Sequence, residues 1–515
     1  MTTFTTPVTV TGTDAYVIAV DDILDVTGAN AITWSGTDTA VTIVNNGTIT
    51  DSANQSLLSV VGTTGTLAFT NNVGALVDVE MKFKNLAAGA TVTIDNYGLM
   101  SGRSNNALEL STAGATFVVN NYSTGVMTQD DASKDIIKDA SNLTLGNHGK
   151  IISSGDSYDV NGNPSQTGGD GIDLGAGTNN AIHNYAGAII EGSHHGITAD
   201  IGMTIVNDLG GKIVGRNGAG LNFDNDLTST LTVTNYGTIL GESKTYADSD
   251  GDAVDADGLL DLDNYGFIGG MGANGEHDGG TNHSEAIAVG GGIINNFAGA
   301  TIFSVQRGIQ VDDSSEGAAL AATTIFNAGI IQAADEAIKI VGDWADTLTN
   351  RGTIIGDILM GGGNDTVTLR AGSNIIGDIM LEAGNDTFKG SSAAEIVYGG
   401  AGIDSLTGGA GDDTFVFELG DTGKTKTSAD TLFDFNGKAG DTIDLSAIDA
   451  NGAKAGEPAF KFIGSAAFHD KAGELRVVTE KSDTYIYGDT NGDGKADFAI
   501  HLDDAVSFKA TYFDL

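Results

Sequence analysis

Apolar and polar residues alternate along most of this chain in short runs, the period-two pattern of strands with one buried face. LTVTN (231–235) is typical: β-branched residues, then an Asn. From about residue 40 to 355 such runs lead into an Asn that is followed by Gly and apolar residues. Instances are NNGTI (45–49), NYGLM (96–100), NYSTGVM (121–127), NHGKI (147–151), NYAGAII (184–190) and NDLGGKI (207–213). The series continues with NYGTI (235–239), NYGFI (264–268), NFAGATI (296–302), NAGII (327–331) and NRGTI (350–354), and Asn72 in NNVGAL is its weaker member. Most successive Asn residues lie 23 to 32 positions apart, with one gap of 37 between Asn147 and Asn184. That period suits one coil of a parallel β-helix, in which loops vary in length while strands keep register.

A second marker recurs in each coil, a small residue beside apolar positions: ALEL (107–110), GIDL (171–174), GITA (196–199), GLNF (220–223), AIAV (286–289), GIQV (308–311) and AIKI (337–340). Stacked coils repeat at about 4.8 Å, so equivalent residues form ladders. The Asn series is expected to be one such ladder at a turn, with side chains bonding along the stack. Tyr97, Tyr122, Tyr185, Tyr236, Tyr265 and Phe297 follow their Asn and are expected to stack beside it as turn packing, the alternative being a sugar-binding strip. The residues just before the second marker form a column of Asn106, Asp135, Asp170, His195, Ala219, Glu285, Arg307 and Glu336. Asp170 beside His195 has the make-up of an acid–base pair. Glu285, Arg307 and Glu336 alternate in sign, as an exposed structural ladder does, and the structural reading is the expected one for both sets.

Near the C-terminal third the period shortens to nonapeptides: MGGGNDTVT (360–368), LEAGNDTFK (381–389), GGAGIDSLT (399–407) and GGAGDDTFV (408–416). The last two follow G-G-x-G-x-D-x-U-x, with U a large apolar residue. Glycines permit the tight turn, carbonyls and the Asp carboxylate suit a hard, oxygen-seeking Ca²⁺, and U points inward to a thin core. The intervening GSSAAEIVY (390–398) keeps an apolar Val397 but has Glu395 where Asp belongs. The segment resembles the RTX (hemolysin-type) calcium-binding repeats. That resemblance implies calcium at Asp365, Asp386, Asp404 and Asp413, with Gly399, Gly402, Gly408 and Gly411 forming the turns. The first two blocks depart from the pattern at Met360, Leu381 and Glu382.

The likeness continues through ADTLFDFNGKAGDTIDLSAIDA (429–450), AFHDKAGELRV (467–477) and YGDTNGDGKADFAIHL (487–502), which are similar to the C-terminal domain of serralysin-type proteases. In that family the domain follows an RTX β-roll and carries the uncleaved signal for type I export, which implies an ABC-transporter secretion apparatus as partner. The protease motif H-E-x-x-H occurs nowhere in the sequence, so the resemblance speaks to export and calcium rather than proteolysis. The repeats TIIGDILMGGGNDTV (353–367) and NIIGDIMLEAGNDTF (374–388) are offset by 21 residues. They lead us to expect an all-β protein, a right-handed parallel β-helix continuing without a flexible linker into a parallel β-roll, then a small β-rich domain. The expected segments are a cap at 1–40, the β-helix at 41–359, the calcium roll at 360–417 and the secretion domain at 418–515.

Composition narrows the function. Asp and Glu number 68 against 24 Lys and Arg, a formal charge of −44. This excludes nucleic acid as an expected partner and favours divalent cations, which relieve self-repulsion among carboxylates. The 40% hydrophobic content and regular pattern argue against disorder of the calcium-loaded protein. The 75 Gly and 3 Pro fit a chain of many tight turns. With no cysteine, disulfides and thiolate metal sites are out, leaving stacking and metal to stabilise the fold. No apolar run reaches a membrane span and the first residues lack the features of a signal peptide, so export is expected to rest on the C-terminal domain ending in ATYFDL (510–515).

Lesser metal candidates complete the reading. Asp489, Asn491, Asp493, Gly494 and Asp497 match the start of an EF-hand-like loop whose twelfth position is Ile500 rather than Glu. DSDGDAVDADG (248–258) is acidic without the Gly phase, and EHDGGTNHSE (276–285) places His277 and His283 among acids, a weak transition-metal set. The functional expectation is a secreted, calcium-dependent structural protein of a Gram-negative bacterial surface: surface layer, biofilm matrix or adhesin, through self-assembly or binding of cell-surface polysaccharide. The alternative is an extracellular polysaccharide lyase, hydrolase or epimerase acting from the β-helix flank.

Overall fold

The computed structural model describes all residues except 1, 7, 11–14, 26–31, 36–38, 52–57, 62–63, 85, 104, 113, 132, 154–167, 225–226, 244–250, 273–274, 278–279, 283, 314–316 and 452–458. Among the described residues the structure is built of strands, with one short 3₁₀ turn at Ala510–Tyr512, and no helix is long and apolar enough to cross a membrane. The fold is an all-β stack of parallel strands. It divides into two units, Met1–Gly290 with Thr301–Gly308, and Gly291–Ala300 with Ile309–Leu515.

In the first unit a coil carries up to three strands, each pairing in parallel with its counterpart one coil away. The run before the Asn forms the first column, for example Thr91–Asn96 beside Thr116–Asn121. The residues after the turn form the second, Leu99–Ser101 beside Val126–Gln129. The small-apolar marker forms the third, Leu108–Glu109 beside Ile137–Lys138. Alternation buries one residue in two. Ile43, Phe69, Ile94, Val119, Leu145, Ile182, Ile205, Val233 and Leu262 stack as one inner column and are all at most 2% exposed. Each such side chain contributes roughly 1.5–3 kcal/mol of burial, against the entropy of ordering the coil. Stacking starts before residue 41: Ala15–Ile18 pairs with Thr42–Asn45, and Ile23–Asp25 with Thr48–Thr50.

In the second unit the coil pattern runs into the nonapeptides without a break in pairing. Thr347–Asn350 pairs with Thr366–Leu369, which pairs with Thr387–Lys389, then Ser405–Thr407, then Thr431–Leu432. The inner column is Leu348, Val367, Phe388, Leu406, Leu432 and Leu502, each at most 1% exposed. An opposite column holds Ile358, Ile379, Val397, Phe415, Ile443 and Phe513. The apolar position of every nonapeptide therefore points inward, Val397 of the departing block included. An antiparallel set, Glu474–Thr479, Thr484–Asp489 and Phe498–Leu502, completes the unit.

Candidate metal centre

The Asn series is a ladder of side-chain amides. In the first unit Nδ2 of Asn45, Asn71, Asn96, Asn121, Asn147, Asn184, Asn207 and Asn235 each donates to Oδ1 of the next member, ending at Asn264, at 2.8 or 2.9 Å. In the second unit Asn296, Asn327 and Asn350 repeat it at 2.8 Å, and Asn350 closes on Ser373 Oγ. The remaining N–H of Asn121 goes to the Lys150 carbonyl at 3.1 Å, and Oδ1 of Asn147 also accepts the Gly149 N–H. A buried amide in this arrangement has partners for both its N–H groups and its oxygen, which is why it tolerates complete burial. The member at the second coil is Asn71, not Asn72. Asn72 lies outside the ladder proper and donates to Asn46 Oδ1.

A second ladder replaces amides with carboxylates. Asp346, Asp365, Asp386 and Asp404 each stand just before a strand of the column that begins at Thr347–Asn350, and Asp430 is the first residue of its last member, Asp430–Leu432. Oδ1 of Asp365 accepts the Asp346 N–H at 2.7 Å, Oδ1 of Asp386 the Asp365 N–H at 2.7 Å, and Oδ1 of Asp404 the Asp386 N–H at 2.9 Å. Asp430 does the same for Asp404 at 2.9 Å, and Asp346 takes the Thr323 N–H. On the opposite side Asp413 accepts the Glu395 N–H at 3.0 Å. In all six aspartates Oδ2 is buried and has no hydrogen-bond partner, and each is at most 1% exposed. Burial pushes Asp346 and Asp386 up to about 6, Asp365 and Asp430 to about 7 and Asp404 to about 8, and raises Asp413. A carboxylate accepts but cannot donate, so an oxygen that no protein donor reaches calls for a proton, a cation or a water.

The turns leave room for that cation. A Cβ on Gly399 would lie 2.7 Å from Asp404 Oδ2, and one on Gly408 2.5 Å from Asp413 Oδ2. Gly402 and Gly411 instead face the carbonyls of Gly384 and Ala393. Positive φ is found at the second glycine of each block, Gly400 (φ +78°) and Gly409 (φ +96°), and also at Gly411 (φ +144°). Orphaned carboxylate oxygens, set at Asp404 and Asp413 against glycines, in turns that stack their carbonyls, fit the all-oxygen ligand set of Ca²⁺. Sequence reasoning missed Asp346 and Asp430, which lack the flanking glycines. The signal that finds them is the Asp-Thr dipeptide they share with Asp365, Asp386 and Asp413. Glu395 is different: Ser391 engages both of its oxygens.

The carboxylates of the loop at 489–497 already accept hydrogen bonds, most of them from within the loop. Asp489 accepts the N–H groups of Gly492 and Gly494, and Asp497 accepts from Thr490, Asn491 and Lys424. Asp493 receives the Lys495 N–H. His283 and residues 248–250 lie outside the described residues, as does the side chain of His277. Within the acidic insertion, Asp252 accepts the Glu285 N–H at 2.7 Å.

The flank column is a hydrogen-bonded ladder. Asp135 accepts the Asp170 N–H, Asp170 the His195 N–H, both at 3.0 Å, and His195 Nδ1 the Ala219 N–H at 2.8 Å. Asp170 and His195 thus occupy equivalent positions on adjacent coils. Burial drives His195 down to about 4, so it is neutral with its Nδ1 lone pair committed to backbone. The Glu285–Arg307 pair, 3.7 Å apart, is not exposed as expected; its side chains are 10% and 12% exposed. Glu336 belongs to the second unit, in register with Asp357. A cavity of about 320 Å³ opens on the same flank, lined by Glu80, Lys82, Glu109, Asp135, Lys138 and Asp139 among others. Burial and a hydrogen bond to Glu109 push Glu80 up to about 7.

The aromatic series packs on itself. Tyr97 and Tyr122 stack with centroids 4.0 Å apart, His148 and Tyr185 at 3.7 Å, and Tyr236 and Tyr265 at 4.8 Å. Mutual stacking covers the facing sides of these rings and supports turn packing, although Tyr236 and Tyr265 stay 41% and 40% exposed; Phe297 instead lies tilted against Phe326.

No curated protein matches the chain. Residues 332–512 match the family described as peptidase M10 serralysin C terminal. This span takes in the aspartate ladder and the antiparallel strands beyond it. The chain therefore carries a serralysin C-terminal domain, of the kind found in secreted RTX-type proteins, on a parallel β-helix.

Proposed function

We propose that this is a secreted, calcium-dependent structural protein of a bacterial surface, exported by a type I apparatus through its C-terminal domain. Calcium is held by Asp365, Asp386, Asp404 and Asp413 with the turns of Gly399, Gly402, Gly408 and Gly411. Asp489, Asn491, Asp493 and Asp497 form a subordinate site, whose carboxylates must exchange present donors for an ion. The observation that carries the reading is the row of buried aspartate oxygens without partners, in a chain with no cysteine and a net charge of −44. Ions there stiffen the roll on arrival in a calcium-rich medium, and their absence before export leaves it unfolded. The repetitive coils, closed by amides rather than by a catalytic set, support a scaffold in a surface layer, matrix or adhesin. Electron microscopy of the purified protein with calcium should show sheets or filaments that disperse in chelator. Monodisperse particles under both conditions count against the assembly role.

The second reading, a polysaccharide lyase, hydrolase or epimerase, is favoured by the flank cavity with its Glu80–Glu109 carboxyl pair. A loss of viscosity of uronic-acid polymers, abolished by Glu109→Gln, would establish it over the scaffold.

A further inference from the structure

The turn Val341–Asp346 reads V-G-D-W-A-D and matches no glycine-rich nonapeptide. It nevertheless reproduces the geometry of the turns that do. The pairing of Thr347 with Thr366 and of Thr366 with Thr387 sets Asp346, Asp365 and Asp386 in register, and with them Gly342, Gly361 and Glu382. All three second positions have positive φ, +127°, +81° and +68°, as does Gly400 at +78°. The fourth positions stack their carbonyls in one column. A Cβ on Gly363 would meet the Trp344 carbonyl oxygen at 2.0 Å, one on Gly384 that of Gly363 at 1.5 Å, and one on Gly402 that of Gly384 at 1.5 Å. The sixth position, Asp346, is 1% exposed, places Oδ1 on the Thr323 N–H, and leaves Oδ2 buried without a partner.

We propose that Val341–Asp346 is an additional turn of the metal array and that, with the turn 360–365, it holds a Ca²⁺ ion between the Asp346 and Asp365 carboxylates and the turn carbonyls. The proposal rests on the reading that the aspartate ladder downstream binds calcium. Its physical basis is that a turn needs glycine only where a Cβ would strike a neighbour. As the first of the series, this turn has no earlier turn of its kind whose carbonyl crowds its fourth position, so Trp344 stands where later turns need Gly363, Gly384 and Gly402. The ion's strand, Thr347–Asn350, also ends in the amide ladder at Asn350, so it joins the two kinds of ladder within one coil.

Trp344 makes the site observable, because a lanthanide bound beside an indole emits when the indole is excited. The full-length protein would be titrated with Tb³⁺, excited through tryptophan, and its calcium ions counted by native mass spectrometry. Its other tryptophan, Trp34, is fully buried in the first unit. Expected are sensitised emission displaced by Ca²⁺, its loss in Trp344→Phe with the ion count unchanged, and one ion fewer per chain in Asp346→Asn. Asp404→Asn should also lower the count but keep the emission. Emission unaltered by Trp344→Phe, or a full ion count in Asp346→Asn alongside a reduced one in Asp404→Asn, overturns the additional site and leaves the downstream reading intact. A full count in both variants overturns the downstream reading as well.

Discussion

The amide ladder of the first unit and the carboxylate ladder of the second solve the same problem with side chains that differ by one group. Both put a polar column at the end of a stacked strand, almost wholly out of water. Asn121 gives an N–H to Asn147 and takes one from Asn96, so the column closes on itself at any length. Asp386 takes the Asp365 N–H on one oxygen and has nothing for the other. The difference is the absence of a donor: the amide column satisfies itself, whereas each carboxylate keeps one oxygen without a partner. On the proposed reading, that oxygen is where an ion would act.

Removing calcium tests this most severely. In excess chelator at neutral pH, residues 360–417 should lose their β signal and hydrogen-exchange protection, while the coils from Asn71 to Asn264 keep theirs. Equal loss or equal survival of the two regions breaks the distinction. The stabilisation restored by calcium grows with the logarithm of its excess over Kd.

Exchanging the side chains sharpens the comparison. Asn121→Asp removes the donor and places an acid in a column with no cation site. It should destabilise the first unit by about 3–5 kcal/mol, the range for an unpaired buried charge, measured by urea unfolding with or without calcium. The reciprocal Asp404→Asn supplies a donor where an oxygen lacks a partner. Calcium affinity should fall about tenfold, close to 1.4 kcal/mol, while in chelator the variant roll keeps more β signal than the unchanged protein.

The smallest effect is on pH. The carboxylates of Asp365, Asp386, Asp404 and Asp430 sit at about 6 to 8 in the folded roll against 3.8 ordinarily. Their protonated forms are favoured by folding, so the stability they contribute is fully present below about pH 4 and is lost as pH rises through 6 to 8. In chelator the roll should therefore regain at pH 5 part of the β signal that it lacks at pH 8. With calcium bound the order reverses, because the ion requires ionised ligands.

The flank shows where sequence reading runs short. Asp170 and His195 were legible as neighbours because the small-apolar marker fixes their phase, but that His195 spends Nδ1 on a backbone N–H was not. Glu285 and Arg307 have the alternating signs of an exposed ladder, yet Glu285 is buried and Arg307 half-buried. Register within a repeat is written in residue spacing, whereas depth depends on how neighbouring loops cover the face.

The chain by itself determined the parallel stack, the inward apolar columns and the four aspartates of the nonapeptides. Period, alternation and glycine placement are local properties that every coil repeats. Only the tertiary structure decided that Asn71 rather than Asn72 joins the amides, and that Asp346 and Asp430 extend the carboxylates beyond the motif. It also decided that each aspartate has one oxygen held and one without a partner. Those outcomes depend on which atom of the next coil lies opposite, and that is settled when coils separated by 18 to 37 residues come into register.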